Sequence, residues 1–352
     1  MFADNPDIKW EESKQFDAGF EVGLLNDRIT LEMDYYIKKT SGLLMEATTL
    51  DLDGFNGPPI ANVGEVVNRG FEFEAKYRQN FGQVNFGASL NVTTLHNEVT
   101  KVTDNGYIDG YTWPVRNTVI TRMEVGKPIG FFRGYKTAGI FNSQDEVFSH
   151  INSSGQRLQP NAQAGDIKFV DVNKDGVIDS KDITEIGSPW AKAQIGLNLN
   201  ASYKGFDIRL LFTSSVGNDI YRSYERQDVI NNNYTTEWLD RWTPENPTAS
   251  YPRLTVSDPN NNSRASDFYV ENGSYVRLKS LQIGYSLPSS ILEKIKVTKM
   301  RAYVTFDNLW TLTGYSGFDP EIGNSGWILD TGIDKGFYPQ LKTMGFGLRV
   351  QF

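Results

Sequence analysis

The last ten residues of the chain, 343–352, constrain the fold more than any other segment. Apolar side chains alternate there with polar or small ones, and the apolar set is Met344, Phe346, Leu348, Val350 and Phe352. A period of two is typical of a β-strand with one apolar face, and about ten residues is the length that a tilted strand needs to cross a bilayer. A final aromatic residue on that face suits the interfacial girdle of a membrane barrel. Taken alone, the segment fits a half-buried strand of a soluble β-protein equally well.

Composition narrows the classes of protein that remain. The chain has 352 residues and a net charge of −8, which gives a nucleic-acid partner no electrostatic support. No stretch approaches the roughly 18 apolar residues of a membrane helix, but barrel strands bury only alternate side chains and escape that criterion. Cysteine is absent, which excludes disulfides, thiol catalysis and thiolate metal sites.

The alternating pattern of the last segment recurs ten times upstream. The predicted strands lie near 16–24, 29–38, 71–77, 84–92, 117–125, 130–138, 193–201, 206–212, 275–287 and 300–306. Short turns such as Asn26-Asp27, Gly126–Pro128 and Lys204-Gly205 alternate with long connections. Short turns at one end of the strands and long loops at the other are typical of outer-membrane barrels. We therefore predict an all-β fold, a transmembrane antiparallel β-barrel of about eleven strands in this chain, with long extracellular loops.

The alternation also assigns side chains to the two faces of the predicted barrel wall. Residues predicted to face lipid are Phe20, Val22, Leu31, Phe73, Phe86, Leu197, Leu199 and Leu348. Residues predicted to face the lumen are Glu32, Glu72, Glu74 and Arg349.

The strand count indicates a partial barrel. With the short turns on the periplasmic side, the first and the eleventh strand both run toward the periplasm. Closing them on each other would therefore pair parallel neighbours. Bacterial single-chain barrels have even strand numbers, and unpaired edge amides in lipid cost several kcal/mol each. We therefore expect residues 1–352 to be the C-terminal half of a larger barrel, without its plug domain and its N-terminal strands.

One loop has the spacing of a calcium site. In the segment 171–182, side-chain oxygens stand at positions one, three, five, nine and twelve, Gly176 at position six allows a sharp turn, and the carbonyl at position seven faces inward. The predicted ligands of a structural Ca²⁺ are Asp171, Asn173, Asp175, Val177 through its carbonyl, Asp179 and Asp182. Asp at position twelve replaces the bidentate Glu of strong loops and implies modest affinity. The alternative is a surface turn rich in Asp and Asn.

Aromatic residues are frequent in the predicted outer loops. Flat rings among Asn and Asp suit glycan or peptide recognition, because ring faces stack while amides and carboxylates hydrogen-bond. The candidate substrate-binding residues are Tyr111, Trp113, Tyr221, Tyr224, Trp238, Trp242 and Trp327. The alternative is that these rings pack the loops together or contact a partner protein.

The sequence contains no catalytic constellation. His96 and His150 have no partner spacing that indicates a triad or a metal centre. Gly314–Gly317 lacks the strand–helix context and the Lys of a phosphate loop. We therefore expect a protein that is not an enzyme.

Several phrases resemble SusC/RagA-type TonB-dependent transporters. They are Gly126-Lys-Pro-Ile-Gly-Phe-Phe-Arg-Gly-Tyr135, Gly139-Ile-Phe141, Gly165-Asp-Ile-Lys-Phe169, Gly187-Ser-Pro189, Tyr275-Val-Arg-Leu-Lys279, Gly284-Tyr285, Asn308-Leu309 and Tyr315-Ser-Gly-Phe-Asp-Pro-Glu321. Their order covers most of the chain. The resemblance implies a bacterial outer-membrane importer of oligosaccharides or peptides, with a SusD-like surface lipoprotein as partner. It also implies contact with the TonB complex through an N-terminal region outside this sequence.

Two other hypotheses come from different classes of protein. A surface-exposed β-protein without a membrane span would bind glycans through its aromatic loops. A soluble calcium-dependent hydrolase is the third hypothesis.

Overall fold

The computed structural model describes residues 5–46, 60–103, 106–226 and 232–352, and its main sheet has ten strands. These are β1 (Glu12–Leu24), β2 (Ile29–Ser41), β3 (Gly64–Phe81), β4 (Val84–Thr94), β5 (His96–Val102), β6 (Ala193–Tyr203), β7 (Phe206–Val216), β8 (Tyr275–Ser286), β9 (Lys299–Thr313) and β10 (Thr343–Gln351).

Nine of these strands form one antiparallel path. The order is β1-β2-β3-β4-β6-β7-β8-β9-β10, and β5 pairs with the first residues of β3. Consecutive strands in the path run in opposite directions, so β1 and β10 run in the same direction. Among the described residues, each of these two edge strands pairs on one side only.

The connections separate by length, as the sequence predicts. One end of the sheet carries the turns 25–28, 82–83 and 204–205, in which Leu25, Asn26, Asp27, Gly82, Lys204 and Gly205 all have positive φ. The segment 287–298 joins β8 to β9 at the same end and contains the short helices Ser289–Leu292 and Glu293–Ile295. The opposite end carries the long connections 42–63, 103–192, 217–274 and 314–342.

Two predicted barrel strands lie elsewhere. The segments 117–125 and 130–138 do not join the main sheet; they contain short strands of small sheets within the 103–192 connection. The reason is that apolar side chains in these segments are buried on both faces: Ile120, Met123 and Phe132 are fully buried, and Phe131 is 3% exposed. The sheet path therefore has nine strands where eleven were predicted, and the turn at Gly126–Pro128 lies at the end with the long connections.

The long connections hold the remaining elements. Short strands are Leu44–Glu46, Ile60–Asn62, Tyr107–Asp109, Thr112–Trp113, Thr118–Val119, Thr121–Glu124, Phe131–Gly134, Thr137–Ile140, Ile167–Phe169, Thr184–Gly187, Asp219–Arg222, Val270–Asn272 and Ile333–Asp334. Helical segments are Gln144–Ser149, Val115–Asn117, Ser180–Asp182, Thr236–Asp240, Asp267–Tyr269 and Ile328–Asp330. None of the helices among the described residues has the length and apolar character to span a membrane.

The main sheet has one apolar and one polar face. Leu197 stands opposite Leu90 on one side and Phe212 on the other, and the same face continues to Phe346, which is 77% exposed. All eight residues predicted to face lipid lie on this apolar face in the register. An apolar sheet face left exposed by the protein itself is the expected state of a surface that lipid covers.

Position 197 gives a direct test of the membrane assignment. Placing Arg at Leu197 is expected to destabilise the barrel by about 2–4 kcal/mol near the bilayer midplane, because the guanidinium would have to enter lipid. Arg at Asn198, the next residue and on the polar face, should cost far less. Urea unfolding of both variants in lipid vesicles measures the difference in their free energies of unfolding. Equal destabilisation at the two positions would contradict a bilayer span.

Candidate functional site

Three long connections, 103–192, 217–274 and 314–342, pack into what we call the outer loop assembly. Strand Asp219–Arg222 pairs antiparallel with Val270–Asn272 and parallel with Ile333–Asp334, which ties two of the connections together. Trp113 and Phe132 bring the third connection into the same hydrophobic cluster. A second cluster joins Val66 and Val99 of the main sheet to Met123 and Leu329 of the assembly. The assembly is therefore seated on the sheet by a core of its own.

Three of the predicted substrate-binding rings are buried inside the outer loop assembly. Trp113 and Tyr221 are fully buried, and Trp238 is 3% exposed. The indole Nε1 of Trp113 donates to the carbonyl of Ser223 at 3.0 Å, and its ring centroid lies 4.7 Å from that of Tyr269. These side chains have no surface on which a substrate could stack. Their assignment to substrate binding is corrected to packing, which was the alternative.

The other four rings are half-buried. The ammonium of Lys335 lies over the ring of Tyr111, with Nζ 4.1 Å from the ring centroid. Burial raises the pKa of the Tyr224 hydroxyl to about 12. Trp242 covers Gly165, where a Cβ would come within 2.4 Å of the indole. Trp327 packs against the second cluster. A substrate role for these four residues remains a prediction.

The segment 171–182 is folded around its own backbone amides. Asp171 Oδ2 accepts from the amide of Gly176 at 2.8 Å, and Gly176 has φ +88°, as a sharp turn at position six requires. Three more side-chain oxygens accept hydrogen bonds from backbone amides two residues further along. Asn173 Oδ1 accepts from the amide of Asp175, Asp175 Oδ1 accepts from the amide of Val177, and Asp179 Oδ1 accepts from the amide of Lys181. Buried Asp182 accepts from three amides, those of Val172, Asn173 and Asp179.

These carboxylates do not form a converging ligand set here. Among the described residues, no group of three or more His, Asp or Glu side chains is close enough together to hold a metal ion. One atom in the loop has no partner: Asp171 Oδ1 is shielded from solvent and makes no hydrogen bond. A shielded carboxylate oxygen without a hydrogen-bond donor at position one of the loop fits the donor chemistry of calcium.

Two His residues lie apart from one another. His96 is exposed on β5, with Nε2 3.4 Å from Glu98 Oε2. His150 packs its ring against Phe141 and has Nε2 3.2 Å from the carbonyl oxygen of Phe169. Burial and the nearby Lys168 lower the pKa of His150. Each His therefore has a local structural role in the arrangement described.

Sequence reasoning missed the ion cluster around the buried Arg277 on β8. Arg277 is 1% exposed; Nη2 donates to Asp319 Oδ1 at 2.6 Å and Nη1 to Glu321 Oε2 at 2.8 Å. Burial alone would raise the pKa of Asp319. The hydrogen bonds from the amides of Glu321 and Gln340 and the nearby Arg277 outweigh burial and lower the pKa below its usual value, so Asp319 is ionised at neutral pH. We call Arg277, Asp319 and Glu321 the Arg277 clamp. It holds the 314–342 connection against the polar face of the sheet.

A signal for the clamp was present in the sequence. Arg277 lies in the phrase Tyr275–Lys279, and both carboxylates lie in Tyr315–Glu321. Each phrase contributes to the family resemblance, but nothing in the local sequence pairs them across 42 positions.

Charge is distributed unevenly over the polar face. Glu32 stands directly opposite Glu74 on β2 and β3, and Glu74 is paired with Lys76. At the other side of the sheet, near the short turns, a cleft of about 430 Å³ is lined by Asp207, Arg209, Gln282, Ser286, Lys299, Arg301, Tyr303, Arg349 and Gln351. The predicted lumenal positions Glu32, Glu72, Glu74 and Arg349 all lie on this polar face.

Comparison with known proteins covers nearly the whole chain. Residues 1–309 match the family model described as TonB dependent receptor-like, beta-barrel. TonB-dependent receptor P3 of Formosa agariphila is 32% identical over 99% of this chain and 35% of its own length. TonB-dependent receptor SusC of Bacteroides thetaiotaomicron is 28% identical over 99% of this chain and 32% of its own length.

Solved structures agree with the sequence matches. The RagAB peptide transporter superposes with a TM-score of 0.77 at 25% identity, over 99% of this chain and 36% of that one. The RagAB peptide importer in its open-open state gives a TM-score of 0.76 at 26% identity. This chain thus spans about a third of the length of the curated relatives that it matches. The partial antiparallel barrel, its two-faced strands and these matches agree: the chain belongs to the TonB-dependent receptor β-barrel family of the bacterial outer membrane.

Proposed function

We propose that this chain is the barrel segment of an energy-dependent outer-membrane importer that takes up oligosaccharides or peptides. The observation that carries the proposal is the family match along the chain, combined with a sheet whose apolar face suits lipid and whose polar face suits a solute pathway. The similar structures are titled as peptide transporters and importers, which supports a cargo of that size.

The proposed partners follow from the same relationship. A SusD-like lipoprotein sits over the outer loop assembly, and the TonB complex acts through the region of the receptor that precedes this barrel segment. The assembly suits a docking role because its own core fixes it to the sheet. The protein acts as a transporter and carries out no chemical reaction on its cargo.

Deletion of the receptor gene tests the proposal. We expect the deletion strain to lose uptake of a defined oligosaccharide or peptide fraction, and a protonophore to abolish the same uptake in the parent strain. Complementation with the intact gene serves as the control. If the surface-binding alternative is correct, cells will still bind the cargo after protonophore treatment but the deletion will leave its uptake unchanged.

We also propose that the loop 171–182 binds one structural calcium ion. Asp171, Asn173, Asp175, Asp179 and Asp182 would supply oxygens, directly or through water, with the carbonyl of Val177. Support comes from the spacing, from the turn at Gly176 and from the shielded Asp171 Oδ1 that has no partner. A bound cation would take the place of some of the amide hydrogen bonds that these carboxylates now accept.

Calorimetry on the detergent-solubilised receptor tests the calcium site. We expect one weak site, with Kd in the range of about 10⁻⁴–10⁻³ M typical of extracellular modules, to be present in the natural protein and lost in Asp175→Ala. Asp145→Ala, an exposed carboxylate outside the loop, should leave it intact. No calcium heat at millimolar concentration would identify the loop as a turn alone.

A further inference from the structure

The polar face of β6 carries a row of amide side chains. Gln194, Asn198 and Asn200 alternate with outward apolar residues, and Gly196 completes the row. Two residues of a strand advance about 7 Å, so the row extends about 20 Å from the outer end of the sheet toward the short turns. We call Gln194, Asn198 and Asn200 the amide track.

The neighbouring strands place uncharged side chains beside most of the track and one cation, Arg209, directly opposite Asn200. Asn91 and Thr213 stand directly beside Gly196, and Ser89 stands beside Asn198. The amide of Asn200 lies across Gly87, where a Cβ would come within 2.8 Å of it. Glycine at that position therefore gives the amide room to lie along the wall.

None of the three track amides makes a side-chain hydrogen bond within the part of the chain that the structure describes. All three side chains are exposed on the polar face. Other amides of this face are engaged: Asn85 donates to Ser202 and Gln282 accepts from Arg301. The track thus presents free donors and acceptors toward the lumen.

Two clefts lie along the track. The outer cleft, about 630 Å³, is bordered by Gln194, Thr93, Tyr275 and Trp190, and its charged residues Lys279 and Glu321 are paired with each other. The inner cleft, about 510 Å³, is lined by Asn198, Asn200, Ser280 and Gln282, with Arg209 as its one charged residue. The Arg277 clamp holds Pro320–Ile322 at the border of the outer cleft.

We propose that the amide track binds uncharged, hydroxyl-rich oligosaccharides during their passage along the lumen wall. This inference rests on the proposed import function and chooses between its two cargo classes. A sugar hydroxyl is both donor and acceptor, and so is an amide group, so each can satisfy the other without a counter-charge. The ammonium terminus of a peptide would lose solvation beside this wall, because Glu321 in the outer cleft is already paired with Lys279 and Arg277. Arg209, the one charged residue of the inner cleft, could face a single carboxylate at most.

Equilibrium binding to the complete receptor in outer-membrane vesicles tests this inference. The probes are neutral gluco-, manno- and xylo-hexasaccharides, a uronic-acid hexasaccharide and a hexapeptide with free termini. We expect saturable binding of at least one neutral probe and weaker binding of both charged probes. Asn198→Leu and Gln194→Leu should each weaken neutral binding about threefold to tenfold, the effect of one lost hydrogen bond. Asn161→Leu, an exposed loop position, is the matched control and should bind normally.

Three results would overturn the inference: preference for a charged probe, no binding of any neutral probe, or neutral binding that both track variants leave unchanged. Energy-dependent uptake by cells distinguishes the two levels of proposal. If a peptide is imported and neutral glycans are not, the import function stands and the amide-track inference fails. If no cargo enters in an energy-dependent way, the import function itself fails.

Discussion

Expressed without further barrel strands, this chain is expected to give no folded, SDS-resistant species. The edge strands β1 and β10 run in the same direction, so they cannot close on each other as antiparallel neighbours. Their unpaired amides and carbonyls would cost several kcal/mol each in lipid. In water the apolar face, with Phe20 63% and Phe346 77% exposed, should drive aggregation or detergent binding.

Co-expression with the N-terminal part of a SusC-like barrel should rescue the fold. The added strands would pair with both open edges, as expected for relatives of which this chain spans about a third. The measurement is the heat-dependent shift of the protein in SDS gels, with and without the second part. A monodisperse, detergent-free monomer of this chain with a cooperative melting transition would contradict the membrane assignment.

The barrel wall could be predicted from sequence because its physics is local. A lipid-facing strand shows its face through the alternation of side chains, and the predicted strands at 193–201 and 206–212 lie within β6 and β7. Positive-φ turns such as Lys204-Gly205 mark the strand ends equally well. Each of these signals is contained within about a dozen residues.

The outer loop assembly could not be predicted in the same way, because its contacts join distant segments. Trp113 of the 103–192 connection meets Tyr221 and Tyr269 of the 217–274 connection, and no local pattern distinguishes such a ring from one that faces a substrate. The short strands near 117–125 alternate like barrel strands, yet tertiary packing buries both of their faces. The Arg277 clamp was missed for the same reason.

Removing the buried cation of the Arg277 clamp is expected to have a large effect. Arg277→Ala leaves the mostly buried Asp319 without a counter-ion, while Glu321 keeps its pair with Lys279. Breaking a buried pair by removing one partner costs about 3–5 kcal/mol. Asp319 is held by the amides of Glu321 and Gln340, so it would remain in place as an uncompensated charge. We therefore expect the 314–342 connection to detach from the polar face while the barrel strands persist.

Hydrogen exchange on the complete receptor locates the effect. In Arg277→Ala, the protection of backbone amides from exchange should fall in residues 314–342 and remain unchanged in β6 and β7. Lys279→Ala is the matched control, since Lys279 binds the same Glu321 at 3.3 Å but is partly exposed, and such pairs contribute about 0–1 kcal/mol. Because the cost arises from unpaired charge, the triple variant Arg277→Met, Asp319→Asn, Glu321→Gln should retain much of the protection that Arg277→Ala loses. If Arg277→Ala and Lys279→Ala behave alike, the clamp is not what holds this connection, and the hydrophobic contacts of Leu329 and Ile333 must do so instead.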